Sequence, residues 1–369
     1  MRILVTGARG FIGKNLIANL KNEKQHTIYE YDINTSTEDF EYYCKEAEFV
    51  YHLAGSNRPK EENDYIIHNT DFTNTLITTL NKFENNCPIV YASSIQAALD
   101  NPYGKSKKAG EDLLVKYARS SGARLYIYRF KNVFGKWCRP NYNSVVATFC
   151  HNIAQGLPIE VRTSETPLEL VYIDDLVEEL INKINNQTPQ EEYYYEINHT
   201  YSVMLIKIAE LLYSFRDCHK KQIIPDLSDL FAKKLYSTYL SYLPAEDLCQ
   251  DLLMHTDHRG SFTEFLKQES FGQVSVNISK PGILKGNHWH NSKNERFLVV
   301  SGEGVIRLRN LNSSEVFSYY VTGKKLQFVY LPCGYVHNIE NLGDTDLVTI
   351  IWANESFDSN KPDTNYGEV

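Results

Sequence analysis

Two histidines, a glutamate and a further histidine near the end of the chain fall in a pattern suited to holding a metal ion. The first block runs from Gly282 through His288-Trp289-His290 and Glu295 to Gly302; the second runs from Pro332-Cys333-Gly334 through His337 to Asn341. Successive side chains of a strand point to opposite faces, so His288 and His290 face one cavity. Glu295 returns to that cavity on the next strand, and His337 enters from a strand paired nearby. Three neutral imidazoles and a carboxylate suit Zn²⁺ or another divalent transition metal. The plain alternative is a barrel that keeps its turn glycines while the histidines pack or bind substrate, and the two blocks together favour metal.

A second constellation lies in the first third of the chain. Tyr103 and Lys107 stand at i and i+4, one helical turn apart on one face. A lysine ammonium there lowers the phenol pKa and can hold a nicotinamide ribose, so Tyr103 can act as general acid towards a carbonyl. Ser94, ending the strand Ile89-Val90-Tyr91-Ala92, can hydrogen-bond the same carbonyl. At the N-terminus Arg2–Thr6 reads as a strand, Gly7-Ala8-Arg9-Gly10-Phe11-Ile12-Gly13 as a turn and Lys14–Leu20 as a helix. That order is what a dinucleotide fingerprint requires. Gly7 allows the tight turn, Gly10 lets the backbone approach a pyrophosphate, and Gly13 lets helix pack on strand. The pyrophosphate sits at the positive end of the helix dipole. Asp32 ends the second strand, where an acid bonds the adenosine ribose diol and favours NAD; Arg9 is the nearby group that could take the 2′-phosphate of NADP.

These residues need two kinds of scaffold. From residue 1 to about 180 strands (Thr27–Asp32, Phe49–Leu53, Ile89–Ala92, Leu125–Arg129) alternate with helices that include Lys105–Ser120 and Val145–Gln155. Alternation of this kind means an α/β fold with a doubly wound parallel sheet and right-handed crossovers. A polar stretch, Asn185–Glu192, precedes further helical sequence to about Leu243. From Gly260 to Ala353 short strands with turn residues predict an all-β barrel or jelly roll. The expected domains are therefore 1–245 and 246–369, with the tail after Glu355 a polar arm that could swap onto a partner subunit.

The 369 residues carry a formal net charge of −8, which argues against nucleic acid as a partner. Seven scattered cysteines without CxxC spacing fit reduced, cytoplasmic use. Met1 leads straight into the first strand, so no signal peptide is expected, and no run is apolar enough to span a bilayer.

The first half resembles the extended short-chain dehydrogenase/reductase family, a Rossmann-type fold that acts mainly on nucleotide sugars. The resemblance rests on the GxxGxxG turn, the YxxxK pair, His52-Leu53-Ala54-Gly55, Asn69 with Thr73-Asn74, Arg129-x-x-Asn132-Val133-Phe134-Gly135 and Tyr172-Ile173-Asp174-Asp175. It implies that Leu53 and Ala54 flank the cofactor and that Asn132 leads into the substrate pocket. Ser94 and Tyr103 are closer together than the family usually places them, which leaves Ser93 as the other candidate. An acidic protein that binds a nucleotide sugar needs a local cationic pocket. Lys131, Lys136 and Arg139, with Trp137 and Asn143, could supply it, a solvated basic loop being the alternative.

The two histidine blocks resemble the cupins, and the Arg-Gly-x-Phe-x-Glu run resembles their dTDP-4-dehydrorhamnose 3,5-epimerase branch. That branch implies nucleotide contacts at Arg259, Phe262 and Glu264 and a catalytic base at His288. His288 thus has two candidate duties, ligand or base, and Lys285 is placed to polarise a carbonyl or hold phosphate. A reductase joined to such a cupin resembles the bifunctional capsular polysaccharide synthesis enzymes of the CapF type. The resemblance implies C3-epimerisation of UDP-2-acetamido-2,6-dideoxy-4-keto-hexose in the cupin, then C4 reduction to UDP-2-acetamido-2,6-dideoxy-L-talose on the route to UDP-N-acetyl-L-fucosamine. It also implies NADPH, with NADH the alternative, zinc and a homodimer. Other readings make the cupin a metal-stabilised binding or dimerisation module, or a non-haem iron oxygenase.

Overall fold

A computed structural model describes residues 1–59, 61–161, 166–185, 192–358, 360 and 362–369. They form two compact units, Met1–Tyr213 with Asp229–Pro244 and Ser214–Ser228 with Ala245–Val369. Residues 214–228, read from sequence with the first domain, group with the second unit. Most of the polar stretch Asn185–Glu192 lies outside the described residues. Among the described residues no helix is long and apolar enough to cross a membrane.

In the first unit β1 (Arg2–Thr6), β2 (Thr27–Tyr31), β3 (Phe49–His52), β4 (Ile89–Ser94) and β5 (Leu125–Phe130) form a parallel sheet in the order β2-β1-β3-β4-β5. Ile3, Leu4 and Val5 are fully buried, as expected of a strand covered on both faces. Leu16 and Leu20 of α1 (Phe11–Asn22) join one core; Leu76 and Leu80 of α3 (Phe72–Lys82) join the other, beyond α2 (Thr37–Glu46). The order reverses between β1 and β3, whose C-terminal residues Thr6 and His52 are paired. Ligands of such sheets bind at this switch point.

Helix α4 (Pro102–Ser121) starts before the expected Lys105 because Asn101 caps it. The Asn101 side chain accepts from the Gly104 N–H at 2.8 Å, and Pro102 occupies the first turn, where its missing N–H is no loss. Tyr103 therefore sits in the first turn, close to the end of β4. A short 3₁₀ helix, Ile95–Ala98, bridges the gap, which explains how so few residues connect Ser94 to Tyr103. Beyond β5 the unit continues through β6 (Asn132–Phe134), α5 (Val145–Ala154), β7 (Leu168–Tyr172), α6 (Ile173–Asn185), β8 (Tyr194–Tyr195) and β9 (Tyr201–Val203). Helix α7 (Leu205–Lys220) follows, and α8 (Leu230–Leu240) returns to the first unit.

The second unit holds two largely antiparallel sheets. One is ordered β10-β11-β12-β19-β14-β17, from Met254–Asp257, Gly260–Gln268, Gly272–Ser279, Leu347–Ala353, Glu295–Ser301 and Phe328–Leu331 respectively. The other is β16-β15-β18-β13-β20, from Val316–Thr322, Glu303–Asn310, Tyr335–Asn341, Leu284–Trp289 and Asn365–Tyr366. Phe297, Val299, Ile306, Leu308, Ile339 and Leu347 pack together as its core. The tail is no free arm: β20 adds to β13 of its own chain.

Asn341, the last residue of the second histidine block, is a tie and holds no ligand position. Its buried amide donates to the carbonyls of Ser279 at 2.9 Å and Thr345 at 2.8 Å and accepts from Gly343 N–H at 2.9 Å. Asn341→Ala strands those groups and is expected to cost about 1–3 kcal/mol. Urea unfolding followed by the fluorescence of Trp289 and Trp352 checks this, with Asn341→Asp retaining part of the stability.

Candidate active sites

Around the first site the glycine turn has the shape a phosphate cradle needs. Gly7 has φ +69°, and a Cβ there would lie 2.8 Å from Ala54 N; at Gly13 it would lie 2.3 Å from Gly7 O. Side chains are thus excluded where helix, turn and the Leu53–Gly55 loop meet, which fits a dinucleotide pyrophosphate at the start of α1. The Asp32 carboxylate accepts from the Arg9 backbone N–H at 3.0 Å, which ties the end of β2 to the glycine turn.

The flanking turn is held by a chain of hydroxyls. Thr6 accepts from Ala54 N–H at 3.2 Å and meets His52 Nδ1 at 2.8 Å; Thr73 meets His52 Nε2 at 2.9 Å and donates to Asn69 O at 2.6 Å. Each hydroxyl has one hydrogen, so this network assigns the proton of His52 to Nε2. Burial, then the Lys107 charge, holds His52 down to about 3. The Asn69 amide bonds Ser56 N at 2.9 Å, Ser56 O at 3.0 Å and Ser106 Oγ at 2.9 Å, latching the loop to α4. Asn74, in contrast, is exposed.

Ser94 is the serine that bears on Tyr103: its hydroxyl opposes the rise that burial imposes on the phenol. Ser93 points elsewhere and donates to Glu111 at 2.6 Å. The expected lowering of the phenol by Lys107 is not found, because burial governs both groups. Tyr103 is pushed up, and fully buried Lys107, its ammonium 4.4 Å from the centre of the Tyr91 ring, is pulled down to about 7 against the pull of Glu111.

Glu111 escaped the sequence reading. Fully buried, it accepts from Arg129 at 2.9 and 2.7 Å, from Ser93 and from Tyr194 at 3.2 Å. Its signal was present: Tyr103, Lys107 and Glu111 recur every four residues and share one helix face.

The basic cluster is largely compensated. Lys131 pairs with Glu169 at 3.1 Å and Lys136 with Asp174, while Asn132 donates to Glu169 O at 3.3 Å. Arg139 stacks 5.3 Å from the Tyr142 ring and has no carboxylate partner among the described residues. Trp137 is half exposed, and Asn143 is exposed.

In the barrel one cavity of about 880 Å³ gathers Arg259, Phe262, Glu264, Lys285, His288, His290, Glu295 and His337. Arg259 is held by Asp257 at 2.6 Å, and Glu264 pairs with Lys267. Lys285 donates to Asn277 Oδ1 at 2.9 Å and Ile278 O at 2.8 Å, leaving its third hydrogen for a ligand.

His288, His290, Glu295 and His337 converge, their ligand atoms all within 4.8 Å of one another. The strand pairing does this: His288 lies opposite His337, after a bulge in which Asn287 takes φ +57°. His290 Nδ1 bonds Asp363 O and His337 Nδ1 bonds Tyr335 O, so both present unprotonated Nε2 inwards. His337 Nε2 lies 3.1 Å from His288 Nε2, and Glu295 Oε2 lies 3.4 Å from His337 Nε2 and 3.7 Å from His290 Nε2. His290 Nε2 and Glu295 Oε2 are buried without a hydrogen-bond partner. Burial, with the neighbouring histidines, holds His288 down to about 4. Burial raises Glu295, but the adjacent His290 and His337 rings outweigh it and hold the carboxyl at about 2. Lone pairs and an anion facing one point fit a divalent cation bound by three imidazoles and a carboxylate.

The NAD dependent epimerase/dehydratase family model matches residues 3–203, and the polysaccharide biosynthesis C-terminal domain matches 255–365. The crystal structure of the capsular polysaccharide assembling protein CapF from Staphylococcus aureus aligns over 100% of both chains, with 50% identity and a TM-score of 0.92. The chain belongs to the CapF-type family. A Pseudomonas aeruginosa relative, UDP-2-acetamido-2,6-beta-L-arabino-hexul-4-ose reductase, is 38% identical over 99% of this chain and 98% of its own length. This CapF-type chain also matches the Bacillus subtilis spore coat polysaccharide biosynthesis protein SpsL, 29% identical over 30% of this chain and 81% of that protein.

Lys107 gives a pH signature. Folded, it titrates near 7; unfolded, at its ordinary 10.5. Between those values the unfolded chain holds the extra proton, so this group makes stability rise with pH, and its penalty is fully present below 7. Lys107→Met is expected to flatten that part of the rise, read as melting temperatures of cofactor-free wild type and variant from neutral pH to pH about 10.

Proposed function

We propose that the chain epimerises a UDP-2-acetamido-2,6-dideoxy-4-keto-hexose at C3 in the barrel and reduces C4 in the first unit, forming UDP-2-acetamido-2,6-dideoxy-L-talose for capsule-type polysaccharide. The observation that carries the reading is that one chain holds two separate sites, Ser94-Tyr103-Lys107 and the Lys285–histidine cavity, along its full match to a UDP-sugar reductase. NADPH supplies the hydride and a divalent metal, zinc by its donor set, supplies positive charge beside the ketone. Tyr103 gives the proton to the C4 oxygen, Ser94 orients that oxygen, and Lys107 holds the cofactor ribose. Arg9 takes the 2′-phosphate despite Asp32, while Lys136, Arg139, Asn132, Trp137 and Asn143 face the nucleotide sugar. Substrate phosphate competes with Glu169 and Asp174 for the lysines, a cost that Arg139 does not bear.

In the barrel Arg259, Phe262 and Glu264 form the nucleotide wall and Lys285 directs its free hydrogen to the C4 oxygen. His288 either joins the metal set or, as base, takes the C3 proton before water returns one to the opposite face; lost C3 exchange with full Zn²⁺ binding in His288→Ala would assign it to proton transfer. A C3 proton is acidic only while C4 is a ketone, because the resulting carbanion is an enolate. Reduction removes the ketone, so the barrel must act first although it comes second in sequence. We place the enzyme in the cytoplasm, where its free cysteines stay reduced, and as a homodimer, with exposed Phe317, Tyr319, Tyr320, Phe328 and Tyr330 of β16 and β17 as contact surface.

Tyr103→Phe is expected to lower NADPH oxidation about 10²–10⁴-fold while NADPH still binds and C3 deuterium exchange of the 4-keto sugar continues in D₂O. Product NMR with and without NADPH reads both activities. Near wild-type oxidation by the variant would overturn the reductase assignment; no exchange by intact wild type without NADPH would make the barrel a binding or dimerisation module.

Arg9→Ala tests the cofactor assignment. It should reduce kcat/KM for NADPH and leave NADH little changed.

A further inference from the structure

The chain end folds back over the metal-ligand cluster of its own barrel. In β20 Tyr366 pairs with His288 and Asn365 with Trp289, and Gly367 N–H reaches Asn287 O at 3.0 Å. Just before, Asp363 grips the turn that follows His290. Its carboxylate accepts from the N–H groups of Asn291 at 2.9 Å, Ser292 at 2.7 Å and Lys293 at 2.9 Å. The Asn291 amide at 2.9 Å and the Ser292 hydroxyl at 3.2 Å complete the grip. The backbone carbonyl of the same residue accepts from His290 Nδ1. Thr364 and Phe357, on either side of it in sequence, line the cavity, and Phe357 N–H is tied to Gln273 at 3.2 Å.

The two contacts of Asp363 act together. An imidazole that donates Nδ1–H to a carbonyl must present the lone pair of Nε2, and partners of this kind orient metal ligands. That carbonyl is part of the backbone, so its position depends on the side chain that anchors it. Five hydrogen bonds to one carboxylate fix it against the 291–293 turn, and so against the ring it serves.

We propose that Asp363 is a positioning residue for the metal cluster, and that the C-terminal strap it anchors sets the tautomer and aim of His290. The inference rests on the metal-binding reading above. A strap of this kind makes metal affinity depend on the last few residues of the chain, outside the ligand set itself.

The test is Zn²⁺ competition against a chromophoric chelator with the full-length protein. Wild type is compared with Asp363→Ala, Asp363→Asn, His290→Ala and the His290→Ala/Asp363→Ala double variant. Asp363→Ala is expected to weaken Zn²⁺ binding about 10–100-fold. Asp363→Asn should lose less, since one amide oxygen still accepts, and it carries the test if the alanine variant does not fold. In the double variant the second substitution should add nothing to the loss from His290→Ala. The ring ¹⁵N shifts of His290 should report the Nδ1–H tautomer in wild type and a mixture in Asp363→Ala. Wild-type affinity in Asp363→Ala overturns the proposal, as does an equal loss with and without His290, which would make the strap a general brace. Wild-type protein that takes up no stoichiometric Zn²⁺ overturns the metal reading itself, a distinct failure.

Discussion

Inside the barrel, buried acceptors converge on one point. His290 Nε2 and Glu295 Oε2 have no hydrogen-bond partner there, and Glu295, held at about 2, brings negative charge to it. Without a cation this arrangement carries unsatisfied polar atoms in a site shielded from water, which is costly. The surrounding structure is organised around it: the bulge at Asn287 aims His288, the β13–β18 register brings His337 opposite, and the tail holds His290. A bound cation turns each of these costs into a ligand bond, so metal binding and barrel stability become one free energy.

The first unit answers a different constraint, the burial of ionisable groups beside a sheet. His52, Tyr103 and Lys107 are all driven towards their neutral forms. Glu111 is matched by the Arg129 guanidinium at 2.9 and 2.7 Å. A buried lysine pulled down to about 7 on the same helix face as Tyr103 would suit the proposed role of assisting proton delivery.

Much of this was legible in the sequence because the signals were local. The glycine turn, YxxxK and HxH each depend on spacings of a few residues, and spacing fixes which face a side chain takes. The start of α4 was missed by three residues, although Asn101-Pro102 is a capping signal. What stayed hidden was long-range compensation. Lys131 and Lys136 read as free cations because their carboxylates lie 38 residues away in sequence. The tail read as a loose polar arm because its partners, His290 to Lys293, lie about seventy residues earlier. Glu111 went unread because two of its partners, Arg129 and Tyr194, lie 18 and 83 residues away in sequence.

On the proposed reaction the two sites act in sequence: a ketone that permits inversion at C3 would be the group the reductase removes. The proposed barrel step would draw on a metal ion held by His288, His290, Glu295 and His337, and X-ray absorption at the metal edge of the purified full-length protein tests that most directly. The expected spectrum is that of one zinc per chain with three nitrogen ligands and one carboxylate oxygen at about 2.0–2.2 Å. A substoichiometric metal, or one surrounded by water oxygens or sulfur, would contradict it.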